Sequence, residues 1–208
     1  MLKRFSRFAV IGGVAAISLG SGQRAAMAQD ATSLQVGAQI PVFRFSEFDS
    51  TDVGIGGRAS WHLSPWIGVE GEVNFYPNDI PDDRAATSSS RVEGLFGITA
   101  GPRINRWRPF AKIRPGFLRV GASPGPIVCI QIFPPPLSCG LAAGETLFAL
   151  DVGAGVELNT SDRTFVRFDI GDEMLRFSGP ALDHDNQVHD DNFVRHDIRV
   201  SFGGGWRF

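Results

Sequence analysis

Apolar and non-apolar residues alternate along most of this chain. Near the C-terminus Val194, His196, Ile198, Val200, Phe202, Gly204, Trp206 and Phe208 share one face, while Arg195, Asp197, Arg199, Ser201, Gly203, Gly205 and Arg207 share the other. A period of two places successive side chains on opposite sides of a strand, so this segment predicts a strand between two unlike environments. Seven further segments repeat the pattern. Leu34 to Val42 is the first. Val53, Ile55, Gly57, Ala59 and Trp61 follow, with Gly54, Gly56, Arg58 and Ser60 opposite. Ile67, Val69, Gly71, Val73 and Phe75 then oppose Gly68, Glu70, Glu72 and Asn74, and Val92, Gly94, Phe96, Ile98 and Ala100 oppose Arg91, Glu93, Leu95, Thr99 and Arg103. A weaker fifth segment sets Ala111, Ile113, Pro115 and Phe117 against Lys112, Arg114 and Gly116. Proline donates no ladder hydrogen bond, so Pro115 is expected near a strand end or at a bulge. Phe148 to Leu158 and Phe165 to Ile170 complete the set.

The connections alternate in length. Short ones fall at His62 to Pro65, Ile104 to Arg108 and Asn159 to Arg163; long ones fall at Phe45 to Asp52, Pro77 to Ser90, Val120 to Gly144 and Gly171 to Asp191. Trp61, Trp66, Trp107 and Trp206 all map to the short-turn end, whereas Phe43, Phe45, Phe75, Tyr76, Phe117 and Phe193 map to the other. Aromatic girdles at both interfaces, short turns on one side and long loops on the other are the pattern of a β-barrel in a bacterial outer membrane. The expected fold is therefore all-β: an eight-stranded antiparallel up-and-down transmembrane barrel. A soluble periplasmic barrel is the alternative, with an apolar lumen and a polar exterior.

Residues 1–28 read as a secretory signal peptide. Lys3, Arg4 and Arg7 form a basic start, Ala9 to Leu19 an apolar stretch, and Ala26-Met27-Ala28 a small-x-small site that places cleavage after Ala28. Residues 29–208 then form one barrel domain. Without the four basic residues of the leader, 16 Lys and Arg face 22 Asp and Glu, a net charge of −6. That balance argues against nucleic-acid binding, which needs a basic footprint.

With the apolar face toward lipid, the lumen receives Arg58, Glu70, Glu72, Arg91, Glu93, Lys112, Arg114, Asp151, Glu157, Arg167, Asp169, Arg195, Asp197 and Arg199. Buried charges persist only when paired, so a mixed-sign ion-pair network is expected. Eight strands enclose just enough space for side chains, which predicts a plugged core rather than an open pore. A narrow ion channel remains an alternative.

The strand count, the loop asymmetry and the ending Ser201-Phe202-Gly203-Gly204-Gly205-Trp206-Arg207-Phe208 resemble the small eight-stranded outer-membrane barrels of the OmpA transmembrane-domain and OmpX type. The resemblance implies a Gram-negative outer membrane, periplasmic termini, and a C-terminal assembly signal in Phe202, Trp206 and Phe208 read by the barrel-assembly machinery. It implies outer-membrane lipid and lipopolysaccharide as surroundings, with external loops free to meet a partner. No cofactor is expected, nor the separate peptidoglycan-binding domain of full-length OmpA-type proteins.

Three places carry candidate chemistry. Cys129 and Cys139 share one long loop and are expected to form a disulfide in an oxidising envelope; the apolar residues between them form either a surface contact or a loop folded over the barrel mouth. Asp183, His184, Asp185, His189, Asp190 and Asp191 offer carboxylates and imidazoles, but no metal-binding spacing, so a solvated acidic loop is expected. His196 is an imidazole on the lipid-facing side, near Ser178 or Ser201. It would serve a lipid-modifying enzyme only with a paired nucleophile, and no catalytic residue is assigned.

Overall fold

The computed structural model describes residues 33–46, 50–77, 90–122, 132–183 and 185–208. The signal-peptide reading and Ala28 lie outside them. Strands β1 (Ser33–Phe45), β2 (Ser50–Val53), β3 (Ile55–His62), β4 (Ile67–Tyr76), β5 (Arg91–Ala100) and β6 (Trp107–Val120) precede a short helix α1 (Leu137–Ala142); β7 (Thr146–Asn159), β8 (Thr164–Phe177), the two-residue strands β9 (Ala181–Leu182) and β10 (Val188–His189), and β11 (Phe193–Arg207) follow. Each long strand pairs antiparallel with its neighbour, and β11 pairs with β1, from Gln35↔Arg207 to Arg44↔Ile198. The sheet is thereby closed and exposes no long edge.

Eight strands build the wall, because β2 and β3 are one barrel strand. Both keep the same register against β1, from Ser33↔His62 through Gln39↔Gly56 to Val42↔Val53. The interruption falls at Gly54, which faces Pro41. Gly54 N–H donates to the Pro41 carbonyl at 2.8 Å, but Pro41 has no N–H to return the bond. Pro115 acts similarly. It lies inside β6, neither at an end nor at a bulge: the β5–β6 register is unchanged on either side of it, between Leu95↔Gly116 and Ile98↔Ile113. The expected local distortion is therefore only a gap in the ladder.

The strands are staggered. Neighbours followed from Leu34 run through Trp61, Val69, Ile98, Ile113, Val152, Asp172 and Ile198 to Arg44, ten residues further along β1. This shear tilts the strands and sets the barrel radius.

The short turns are built from local chemistry. Ser64 Oγ accepts from the Trp66 and Ile67 N–H groups at 3.2 and 3.0 Å, and Ser161 Oγ accepts from Arg163 and Thr164 at 3.2 and 3.1 Å. Between β5 and β6, Ile104 and Trp107 close a tight turn in which Asn105 adopts φ 55°, a conformation asparagine tolerates. Among the described residues, no helix is long and apolar enough to cross a membrane.

Candidate functional site

The lumen divides into two zones. The larger is a web of ion pairs centred on Arg114. Its guanidinium reaches Glu70 at 2.8 Å and Glu72 at 2.6 Å, and its Nε donates to Asp151 Oδ2 at 2.8 Å. Arg167 makes a bidentate pair with Glu70 at 2.6 and 2.9 Å and touches Asp169 at 3.2 Å. Lys112 Nζ bridges Asp169 at 2.5 Å and Asp151 at 3.0 Å. Arg199 bonds Glu72, and Arg58 donates to Gln39 and approaches Asp169 at 3.5 Å. Near the turns Arg207 and Gln35 both donate to Glu157, each at 2.9 Å. Several pairs, Arg114–Glu70, Arg167–Glu70 and Arg199–Glu72 among them, join strands that are not neighbours and so staple the wall across the lumen.

Glycines make room for this web. A methyl group on Gly97 would fall 2.6 Å from Arg114 Cα and 2.9 Å from its Cγ, and one on Gly171 would collide with the Asp151 carboxylate.

Alternation also marks inward positions beyond the charged residues expected here. Gln35, Gln39, Asn74, Arg108 and Glu173 are all buried. Gln39 donates to Asn74 Oδ1 at 2.7 Å, and Asn74 passes two bonds of 2.9 Å to Glu72 and Glu93. The signal for them was their parity: each follows the inward rhythm of its strand. Arg108 was hidden because β6 begins earlier than its alternation suggested.

The second zone is apolar and closes the loop end. Phe43, Phe45, Tyr76, Leu95, Leu118, Val120, Leu147, Leu175 and Phe177 form a buried cluster, joined by Leu137 and Leu141 of α1 and by Ala181 of β9. This corrects the expectation of a second outward aromatic girdle. Phe43, Phe45 and Tyr76 are buried inside the barrel and Phe193 packs partly buried against their cluster; only Phe75 and Phe117 of that group face outward. An odd or even position decides the side, and Phe43, Phe45 and Phe193 fall on the inward parity of their strands. Tyr76 also serves the charged zone by donating to Glu93 at 2.8 Å. Where the zones meet, Asp151, Glu173 and Asp197 stand directly opposite one another on β7, β8 and β11. Arg199 lies 3.6 Å from Asp151 and 3.7 Å from Glu173.

Two of the expected network charges lie at the rim instead. Arg195 pairs with loop residues Asp183 at 2.5 Å and Asp185 at 3.6 Å. Arg91 pairs with Asp52 and lies over the Phe45 ring at 5.0 Å. Both are the first inward charges of their strands, so tilt carries them above the network. Asp197 is buried and accepts from the Ser46 N–H at 2.6 Å.

Outside, Trp61, Trp66, Trp107 and Trp206 are each more than half exposed at the turn end, and Phe202 and Phe208 also face outward. In the loops, Cys139 lies in α1 and Cys129 outside the described residues. Leu137 and Leu141 fold into the mouth, while Phe133 projects at 87 % exposure. The last loop is anchored rather than solvated at its start. Buried Asp183 accepts from His189 Nε2 at 2.8 Å, Arg195 at 2.5 Å and the Gln187 N–H at 2.8 Å. Burial pushes its pKa up, but these hydrogen bonds outweigh burial and hold the carboxyl below its ordinary value. His184 lies outside the described residues, and among those described no cluster of His, Cys, Asp or Glu is arranged to hold a metal. His196 and Asp172 pair on the outer wall at 2.7 Å; Ser201 is buried on the luminal side and cannot serve them.

A closed eight-stranded wall with charge inside and an apolar surface outside defines a membrane barrel. The chain belongs to the outer membrane protein β-barrel domain family, whose model matches residues 12–208. No curated protein matches it in sequence. Among solved structures it is similar to the N-terminal β-barrel domain of Pseudomonas aeruginosa OprF, at 10 % identity over 85 % of this chain and 97 % of that one, with a TM-score of 0.50. Neisserial surface protein A shares 14 % identity over 85 % and 95 % of the two chains (TM-score 0.49). The Yersinia pestis attachment invasion locus protein Ail shares 16 % over 86 % and 100 % (TM-score 0.45). At these identities the likeness is one of fold.

Proposed function

We propose that this protein is a structural and surface-interaction component of the Gram-negative outer membrane: a plugged barrel that holds its loop end outward, its turn end and both termini facing the periplasm. One observation carries this reading. The lumen is filled twice over, by a web of ion pairs and by an apolar lid into which α1 and β9 are packed. Such an interior suits a rigid scaffold that displays loops, not a solute path. Assembly through the outward Phe202, Trp206 and Phe208 belongs to the same reading, as does a disulfide between Cys129 and Cys139.

The test combines outer-membrane fractionation, an unheated gel and protease treatment of intact cells. A heat-modifiable band in the outer membrane, cleaved only within the long loops, is the expected result. Recovery from the soluble periplasm, or cleavage confined to the short turns, would overturn it. The outward His196–Asp172 pair favours a second reading as a lipid-modifying enzyme; unaltered lipid deacylation in a His196→Ala variant would discard it.

A further inference from the structure

The charges on the outside of the barrel are confined to one level. Outward positions run apolar, small or proline from the tryptophans upward, and the charged ones among the described strand residues are Arg44 on β1, Arg119 on β6, Asp172 and Arg176 on β8, and His196 on β11. All four basic side chains are exposed. On β11 His196 and Trp206 share the outward face ten residues apart, and on β6 Arg119 lies twelve residues beyond Trp107. With a rise of about 3.3 Å per residue and a tilt of about 40°, these separations are roughly 25–30 Å along the barrel axis. That matches an apolar band about 25 Å tall. The tryptophans and the basic residues therefore mark opposite membrane surfaces.

The basic residues are also one-sided. Arg176, His196 and Arg44 come from three neighbouring strands, β8, β11 and β1, with Arg119 two strands away on β6. At a similar level β2, β4 and β5 present Val53, Phe75 and Val92 outward. Arg176 and Arg44 face Val194 and Ile198 of the intervening β11, so two strand spacings of about 4.8 Å and four residues of about 3.3 Å put roughly 15 Å between them, enough to span a headgroup with more than one phosphate. Arginine is suited to this chemistry, since its planar fork donates two parallel hydrogen bonds to a phosphate. Asp172 supplies one acidic group, set below the arc and joined to His196 Nδ1 at 2.7 Å.

We propose that Arg44, Arg119, Arg176 and His196 form a binding arc for the phosphates of the outer-leaflet glycolipid, lipopolysaccharide. The proposal rests on the reading that the loop end faces outward.

Full-length protein in phosphatidylcholine nanodiscs, doped with bis-phosphorylated lipid A, dephosphorylated lipid A or phosphatidylglycerol, tests it through the lipid retained after detergent extraction. Wild type is expected to keep the bis-phosphorylated form at least about tenfold over the other two. R44Q/R119Q/R176Q should lose that excess, while R163Q, at the turn end, should keep it; an unheated gel verifies that each variant is folded. Equal retention of the dephosphorylated lipid, or an undiminished triple variant, would overturn the proposal. Preference for phosphatidylglycerol would overturn the choice of ligand. Orientation is settled separately by whole-cell proteolysis, so a failed arc and a reversed barrel give different results.

Discussion

The two halves of the lumen solve one packing problem in opposite ways. Around Arg114 the interior is filled by charges whose neutralisation crosses the barrel; beneath α1 it is filled by Phe45, Leu118, Leu147, Leu175 and Phe177, which need only shape. The charged web has fixed partners and fixed geometry, so it specifies which wall faces which. The apolar lid has no such demand, so it can accept loop residues Leu137 and Leu141 as part of the core. The web thus defines the barrel, and the lid joins the barrel to its display loops.

The sharpest way to break this contrast is to remove the hub of the web. Arg114→Ala leaves Glu70, Glu72 and Asp151 short of their shared cation, and breaking a buried pair costs about 3–5 kcal/mol. Urea unfolding in lipid or detergent should show that loss; a change under about 1 kcal/mol would mean that the web contributes little. Phe177→Ala opens a cavity in the lid and should cost about 3 kcal/mol. Because the web beneath remains, planar-bilayer recordings of this variant should still show no stable conductance. Steady channels would assign the seal to the lid instead.

Asp183→Asn should loosen only the last loop, by about 1–2 kcal/mol, visible as faster proteolysis there with the barrel band unchanged. The pH dependence has a defined sign. Because the folded carboxyl is held below its ordinary value, its contribution is present above an unfolded pKa of about 4 and fades as pH falls through the folded value. Wild-type loop protection should decline in acid, while the Asn variant stays flat over that window. The smallest effect belongs to Glu173→Gln, which relieves like charges facing Asp151 and Asp197 across two strand pairs. It should raise stability by about 0.2–1 kcal/mol; a loss would show that Arg199 needs the charge.

Much of this was legible from alternation. Arg58, Glu70, Glu72, Lys112, Arg114, Asp151, Glu157, Arg167, Asp169 and Arg199 all occupy buried inward positions, as the period of two requires. The same rule, applied strictly, places Gln35, Asn74 and Glu173 among them, and turns Phe43 and Phe45 inward. Assigning those rings to a girdle used only their height along the strand and neglected their parity. Arg91 and Arg195 show the converse limit: parity gives the side, but height depends on stagger.

What the amino-acid sequence determined by itself is therefore the side of each residue and the end of each turn, because both follow from backbone geometry acting over a few neighbours. Which charge meets which, and that two loops fold into the mouth, only the closed barrel decided. Those contacts join positions as far apart as Gln35 and Glu157, and they depend on a shear of ten that accumulates around eight strand pairs.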